Sequence, residues 1–435
     1  MATIKPYRGL RYNPEKISFI SRVITPPYDV IDPETEEHLL EKDPYNFVRI
    51  SMGKTPPSGR QEDEYLFISD IFNKWIREEV LIREEKPSMY AMKQSFKIGD
   101  KHYTRHGLIT ALLLEEPGEG SIHPHENTMK APKTDRIKLM EACRANLSQP
   151  MLMYSDPEGQ IQSDIEQACK KPDFLYSFRD DQDIAHTVWR IDAPQSLDRL
   201  SSLMNDQSAV IADGHHRYES ALTFSEQHRP PEMEKGAVAE DYISAFMVSI
   251  KDRGLLSLPT HRGIISGDSS GTPEVSDALR EHFSVTSFEV EDGDSIYALY
   301  NRMRGEKMSI GCITPDPALL LLEPKNTENI PSAAGCSISD LKKLPVNILH
   351  YCIFPTLLGI EPGSEAESEG VEYNCSASDI YWGVQSGRFN LGFLLPTTSP
   401  HQIHQAAQRG TRLPVKSTYF HPKVPSGIVI YPHRE

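Results

Sequence analysis

The amino-acid sequence predicts an α+β fold: a mixed-sheet core over residues 1–255 that carries a candidate anion site, and a second, α/β region over residues 256–435. Three observations predict it. Strand-like runs at Met151–Tyr154 and Val188–Ile191 enclose a polar helix, Gln160–Lys171, and feed a short apolar run, Ala209–Ala212. Two longer runs, Met89–Ile98 and His102–Leu114, meet at Gly99-Asp100, a hairpin signal. Beyond residue 255, helix and strand signals alternate again from Asp277 to Met303, with no internal repeat.

Taken in order, the first cluster is Ile4–Tyr12 followed by Val23–Ile31. The pair Pro26-Pro27 excludes a regular helix and sets an extended turn, so Tyr28 and Asp29 are expected on a stiff loop. That loop suits either a site or a plain packing corner. Asp32-Pro33 reads as the N-cap and first residue of a short helix through Leu40. Gly53–Gln61 is a polar loop, and after it Ile68, Phe72, Trp75 and Ile76 fall on one face of an amphipathic helix. Thr134 is the predicted N-cap of a helix turning Ile137, Met140 and Cys143 inward, with a left-handed stop near Asn146. His228–Asp241 is a charged, Pro-containing loop or lid, and Ile243–Ile250 resumes as a buried strand. His261-Arg262 forms a polar pair beside a strand. Gly363–Gly370 reads as an acidic loop whose Glu365, Glu367 and Glu369 are solvated, and Ile428–Tyr431 as a closing strand.

Composition narrows the function. A formal net charge of -16 argues against a general nucleic-acid binder, whose affinity rests on Lys and Arg neutralising phosphates. The 6 cysteines have neither CxxC nor finger spacing, so neither a zinc site nor a disulfide framework is expected. The N-terminus lacks a signal-peptide core and no apolar run would span a bilayer, which places the protein in the cytoplasm with no membrane partner.

Three stretches carry chemistry. In Ala209–Leu222 a strand ends at Asp213, Gly214 allows positive φ, and a helix begins near His215, so amide N–H groups and the positive helix end face outward. His215, His216 and Arg217 follow directly, and a guanidinium fork matches phosphate or carboxylate oxygens. Phosphate is the first expectation. The second stretch, Ile122–Arg136, holds His125, Glu126, Lys130, Lys133 and Arg136: Glu126 beside a His and Lys is a usable general base or magnesium ligand, and the lysines can counter phosphate charge. The third, Arg412–Gly427, sets Lys416, Ser417, Thr418 and His421 between prolines, and is either a surface loop or a tail that reaches back to the anion site.

The run Ala212-Asp213-Gly214-His215-His216-Arg217-Tyr218-Glu219 resembles the domain-of-unknown-function 1015 family. The likeness extends through Lys5-Pro6-Tyr7-Arg8-Gly9, Pro26-Pro27-Tyr28-Asp29-Val30, His125-Glu126-Asn127-Thr128, Lys133-Thr134-Asp135-Arg136, Asn146-Leu147-Ser148 and Lys416-Ser417-Thr418-Tyr419-Phe420. More distantly, Asp213–Arg217 looks like the phosphate-binding turn of the ParB and sulfiredoxin-like fold, which includes free serine kinases and nucleotide-binding switches. That resemblance implies that Gly214, His216 and Arg217 touch nucleotide phosphates. His215 stands where sulfiredoxin has its reactive cysteine, which argues against sulfinic-acid repair.

Residues and resemblance together give a first expectation: a small-molecule kinase using ATP or ADP with Mg²⁺, nucleotide held by Asp213, Gly214, His215, His216 and Arg217. Its charge partners are Lys130, Lys133 and Arg136, with Lys416 and Ser417 as further cofactor-binding candidates, Glu126, Asp29 and His125 as catalytic candidates and Glu126 and Asp213 as metal ligands. Free L-serine is the acceptor that the resemblance implies. A non-catalytic nucleotide-binding regulator and a phosphoester hydrolase stay open as alternatives, as does a homo-oligomer.

Overall fold

A computed structural model of the chain describes residues 2–53, 61–126, 131–265, 279–305, 307–325 and 344–434. Lys130, the Asn127-Thr128 pair, most of the Gly53–Gln61 loop and the start of the Asp277–Met303 stretch lie outside the described residues. Two compact units form: Met1–Pro124 with Thr128–Leu256 and Pro422–Glu435, and His125–Asn127 with Ser257–His421. The short His125–Asn127 piece groups with the second unit, and the C-terminal segment Pro422–Glu435 rejoins the first.

The first unit is built on a nine-stranded sheet. Its order is Ile122–Pro124, Ala209–Asp213, Met151–Tyr154, Tyr242–Ser249, Lys101–Leu113, Met89–Ile98, Ala185–Ile191, Tyr176–Arg179, with Ile4–Lys5 also pairing to Lys101–Leu113. Two of these pairings are parallel and the others antiparallel, a mixed sheet. The central strand Tyr242–Ser249 is buried along its whole length, because helices cover the sheet there. Met89, Leu108, Leu152, Ile211, Ala245 and Met247 form the middle of one apolar cluster with Tyr218, Ala221 and Phe224 of the helix His215–His228.

Local signals explain most elements. Asp32 caps the helix Pro33–Lys42, its carboxylate accepting from Thr35 N at 2.8 Å. Ile68, Phe72 and Trp75 are buried along the helix Gln61–Arg77. Two boundaries differ from the sequence reading. The helix carrying Met140 runs Ala131–Cys143, so Thr134 lies inside it; Pro132 fits a first helical turn, where its missing N–H costs nothing. The left-handed residue after that helix is Arg144, φ 50°, while Asn146 continues into the short strand Ala145–Asn146, which pairs with Tyr431–Pro432.

The second unit has a six-stranded sheet in the order Phe283–Glu289, Ala318–Pro324, Ile310–Ile313, Leu391–Leu394, His261–Ile264, Val371–Asn374. Every pairing in it is antiparallel, so among the described residues this unit is α+β where an α/β arrangement was expected. Ile296, Tyr300, Ile380, Tyr381 and Val384 of two helices pack on one another and on Ile313, Leu319 and Leu394. A third helical stretch changes to π-helix over Leu349–Ile353. Pro355 supplies no N–H to the carbonyl four residues back, which favours that slip in register. Glu365–Gly370 is helical, and Glu367 is buried rather than solvated.

Candidate functional site: a buried arginine beside a small cavity

The strand Ala209–Asp213 and the helix His215–His228 join where the sequence places the junction. The strand's register against Met151–Tyr154 shifts between Ile211 and Asp213, an irregularity of the kind that re-aims side chains. Gly214 then has φ 80° and ψ 37°, and a Cβ added to it would lie 2.6 Å from Arg217 Nε. Only glycine meets both demands. The first ladder bond of the helix runs from Tyr218 N to Gly214 O, so the amides of residues 215–217 precede the ladder at the positive end of a 14-residue helix.

Arg217 folds back over that turn and is 6 % exposed. Its Nη1 donates to Gln149 O at 2.6 Å and its Nη2 to Asp213 Oδ2 at 2.7 Å. Nε is buried and has no hydrogen-bond partner. The other oxygen of Asp213 accepts from Lys423 Nζ. Burial alone would raise the Asp213 carboxyl, but Lys423 and Arg217 hold it well below the usual carboxylate range. Burial likewise disfavours the Arg217 charge, and Asp29, Asp213 and Tyr28 more than restore it. Two cations share the Asp213 carboxylate, and Asp29 is a second carboxylate acting on Arg217. Both Asp213 oxygens face cations, which is not the environment of a metal ligand.

Beside Arg217 lies a cavity of about 40 Å³. Tyr28, Ser51, Arg136, Asn146 and Ser426 line it with Arg217, and Leu139, Met140, Leu147 and Ile243 supply apolar wall. Arg136 is oriented by Asp135, by Ser51 O at 2.8 Å, and by the Tyr28 ring 4.1 Å from its guanidinium carbon. Four buried polar atoms on these walls have no hydrogen-bond partner: Ser51 Oγ, Asn146 Oδ1, Arg217 Nε and Ser426 Oγ. A buried polar group left unpaired costs about 1–3 kcal/mol, so four on the residues lining one cavity mark a place that a polar ligand or water can complete. The volume has room for about three to four waters, at about 10–15 Å³ each, or for one small polar group in their place.

The structure thus gathers Asp29, Arg136, Asp213, Gly214 and Arg217 in the first unit. Lys133 lies there too, 3.7 Å from Glu219, its carbonyl accepting from Ser220. His215 is buried on the same helix turn, and His216 beside it is partly exposed. His125, Glu126, Lys416 and Ser417 belong to the second unit. There His125 Nε2 lies 2.9 Å from Thr418 Oγ1 and 3.9 Å from Glu126, Ser417 donates to Pro414 O at 2.5 Å, and Lys416 adopts φ 54° with its carbonyl on Arg262. Among the described residues no group of three or more His, Cys, Asp or Glu could hold a metal ion, and no helix is long and apolar enough to cross a membrane. Sequence reasoning missed Lys423, Ser51, Asn146 and Ser426. Lys423 and Ser426 lie inside the third polar stretch, beyond the Lys416-Ser417 pair singled out there; Ser51 carries no local signal.

The profile of a family described as "Protein of unknown function (DUF1015)" matches residues 4–346. Curated proteins gave no significant match. Among solved structures, a conserved hypothetical protein from Pyrococcus furiosus is similar at TM-score 0.35 and 13% identity, covering 70% of this chain and 90% of that one. A structure described as a free serine kinase in complex with AMP gives TM-score 0.35 and 13% identity, covering 69% and 83%. A C-terminally truncated SbnI from Staphylococcus aureus gives 0.31 and 10%, covering 70% and 81%.

Proposed function

The chain belongs to the DUF1015 family, and from that premise we propose that its first unit binds the phosphoryl group of a small molecule at the Gly214–Arg217 turn and the adjoining cavity. The observation that carries this is Arg217 itself, a buried guanidinium on the wall of a small cavity, two of its nitrogens fixed and its Nε without a hydrogen-bond partner. Arg136 adds a second guanidinium on the wall, and Ser51 and Ser426 add hydroxyls that can donate to phosphoryl oxygens. A cavity this small takes the phosphoryl group alone, so the rest of the ligand extends beyond it.

The reaction proposed for such a site is phosphoryl transfer from a nucleotide to a hydroxyl acceptor. The acceptor oxygen bonds to the terminal phosphorus, the bond to the leaving nucleoside phosphate breaks, and the acceptor's proton passes to a carboxylate. Asp29 is the candidate base in this unit, since its charge acts on both Arg217 and Tyr28. Positioning and charge neutralisation carry most of such a reaction. Magnesium enters as the nucleotide's counter-ion. Free L-serine is the first acceptor to test.

A second reading, nucleotide binding without transfer, is supported by the cavity wall itself, whose described residues include no carboxylate. Phosphorus NMR with magnesium, ATP or ADP, and a pool of hydroxylated metabolites including L-serine separates the two. A new phosphomonoester that disappears in Arg217→Ala and Asp29→Asn supports transfer. Nucleotide that binds and stays intact with every acceptor overturns transfer and leaves binding.

A further inference from the structure

The buried polar groups on the far side of Asp213 are not used by the site as described, and they form one connected chain. Arg105 is fully buried. Its Nε and Nη2 donate to Gln94 Oε1 at 3.0 and 2.5 Å, and Nη2 also donates to Pro422 O at 2.5 Å. Because Gln94 Oε1 accepts from the guanidinium, its Nε2 must donate, and it reaches Lys423 O at 3.2 Å and His186 Nδ1 at 3.4 Å. That fixes His186 with its proton on Nε2, which donates to Asp180 Oδ2 at 2.8 Å. The chain of bonds starts at a surface carboxylate and ends on two successive carbonyls of the C-terminal segment. The second of those residues is Lys423, whose ammonium pairs with Asp213.

Resting on the phosphoryl-binding reading, we propose that Arg105 and Gln94 are positioning residues that dock the C-terminal segment, so that Lys423 neutralises Asp213 and Arg217 keeps a positive charge to offer the ligand. Because Asp29 also acts on Arg217, the corner without Lys423 carries an excess of negative charge and disfavours an anion. With Lys423 that excess is cancelled and the Arg217 charge is left to the ligand. The same segment brings Ser426 to the cavity wall and is held elsewhere by Gln149 Nε2 on Val429 O at 2.5 Å and by bridges from Thr25 to Ser426 and Leu10 to Ile430. Residues 422–434 are thus part of the site rather than a trailing end. Arg105 cannot be replaced by lysine in this role, since a single ammonium does not bond Gln94 twice while reaching Pro422 O.

The test titrates inorganic phosphate into the full-length protein by calorimetry, and follows the Asp213 carboxyl by carbon-13 NMR against pH. Lys423→Met is expected to weaken phosphate about tenfold, the scale of one charged hydrogen bond. Arg105→Lys and Gln94→Leu are expected to weaken it comparably, to shift the Asp213 titration toward ordinary carboxylate values, and to add no further loss of affinity when combined with Lys423→Met. Gln94→Leu serves if Arg105→Lys fails to fold. A folded Arg105→Lys or Gln94→Leu with wild-type phosphate affinity, or losses that multiply with Lys423→Met, overturns the positioning role. If wild-type protein takes no phosphate, the phosphoryl reading fails by itself; an unmoved Asp213 titration in both variants would still overturn the docking of Lys423.

Discussion

Arg217 in the first unit and Arg262 in the second are two buried guanidiniums that differ in what they leave over. Arg262 is fully buried and all three of its nitrogens are engaged: Nε with His350 Nε2 at 3.2 Å, Nη1 with Thr260 O, and Nη2 with Lys416 O at 3.3 Å. Behind it His350 Nδ1 lies 2.8 Å from Glu367, which also accepts from Tyr373 OH at 2.8 Å and Gly363 N at 2.6 Å. Arg217, on the wall of a cavity, has two nitrogens engaged and its Nε without a hydrogen-bond partner. A guanidinium with every nitrogen engaged fixes a unit's structure; one with a nitrogen to spare on a cavity wall is where a ligand gains most, because its partners are already desolvated and held.

The largest effects should separate the two arginines. Arg262→Leu leaves Glu367 with one fewer nearby cation and should destabilise the chain by about 3–5 kcal/mol in urea titrations, while the fraction that stays folded keeps wild-type phosphate affinity. Arg217→Lys should do the reverse, weakening phosphate about 10–100-fold, the equivalent of about 1.5–3 kcal/mol for a charged hydrogen bond. Equal loss of phosphate binding in both would erase the distinction.

The pH response should also differ. Burial holds His350 down to about 4 and His261 to about 3, against about 6.5 for an unfolded histidine. Between those values the unfolded chain binds protons that the folded one does not, so stability is full above about pH 6.5 and falls as the pH drops toward 4. We expect a loss of about 1–3 kcal/mol between pH 7 and pH 5 in the second unit, reduced in His350→Gln. The Asp213 cluster works lower: its carboxyl is depressed, so its contribution persists through this range and is lost only as the pH falls below ordinary carboxylate values. A His350→Gln protein with an unchanged acid slope would contradict the assignment.

The smallest effects are the sharpest. Ser51→Ala and Ser426→Ala remove hydroxyls that have no partner in the structure. Their unfolding free energies should stay within about 0.5 kcal/mol of wild type or rise slightly, while phosphate weakens several-fold. A stability loss above that range would mean that these hydroxyls serve the fold.

Why the sequence showed one cluster and hid part of the other follows from the range of each signal. The Ala209–Leu222 run states its own strand, glycine turn and helix, because a β-run, a positive-φ glycine and a helical period are local properties. The hairpin at Gly99-Asp100 and the Asp32 cap were legible for the same reason. What completes the site is not local. Lys423 lies 210 residues from Asp213, and Gln94 and Arg105 look like ordinary polar residues of two strands until the sheet sets them beside Pro422. The acidic neighbours of Glu367 suggest a solvated carboxylate, yet a six-residue helix turns it toward His350. Charge density marks where polar groups are numerous; only tertiary contacts decide which remain unsatisfied.

The most direct test of the phosphoryl site is calorimetric titration of inorganic phosphate, AMP and ATP into wild-type protein and Arg217→Lys under identical ionic strength. The structure predicts saturable binding of all three to the wild type and a common loss of about 10–100-fold in the variant, since one phosphoryl contact is shared. Binding that is absent in the wild type, or undiminished in Arg217→Lys, would contradict a phosphoryl site at this turn.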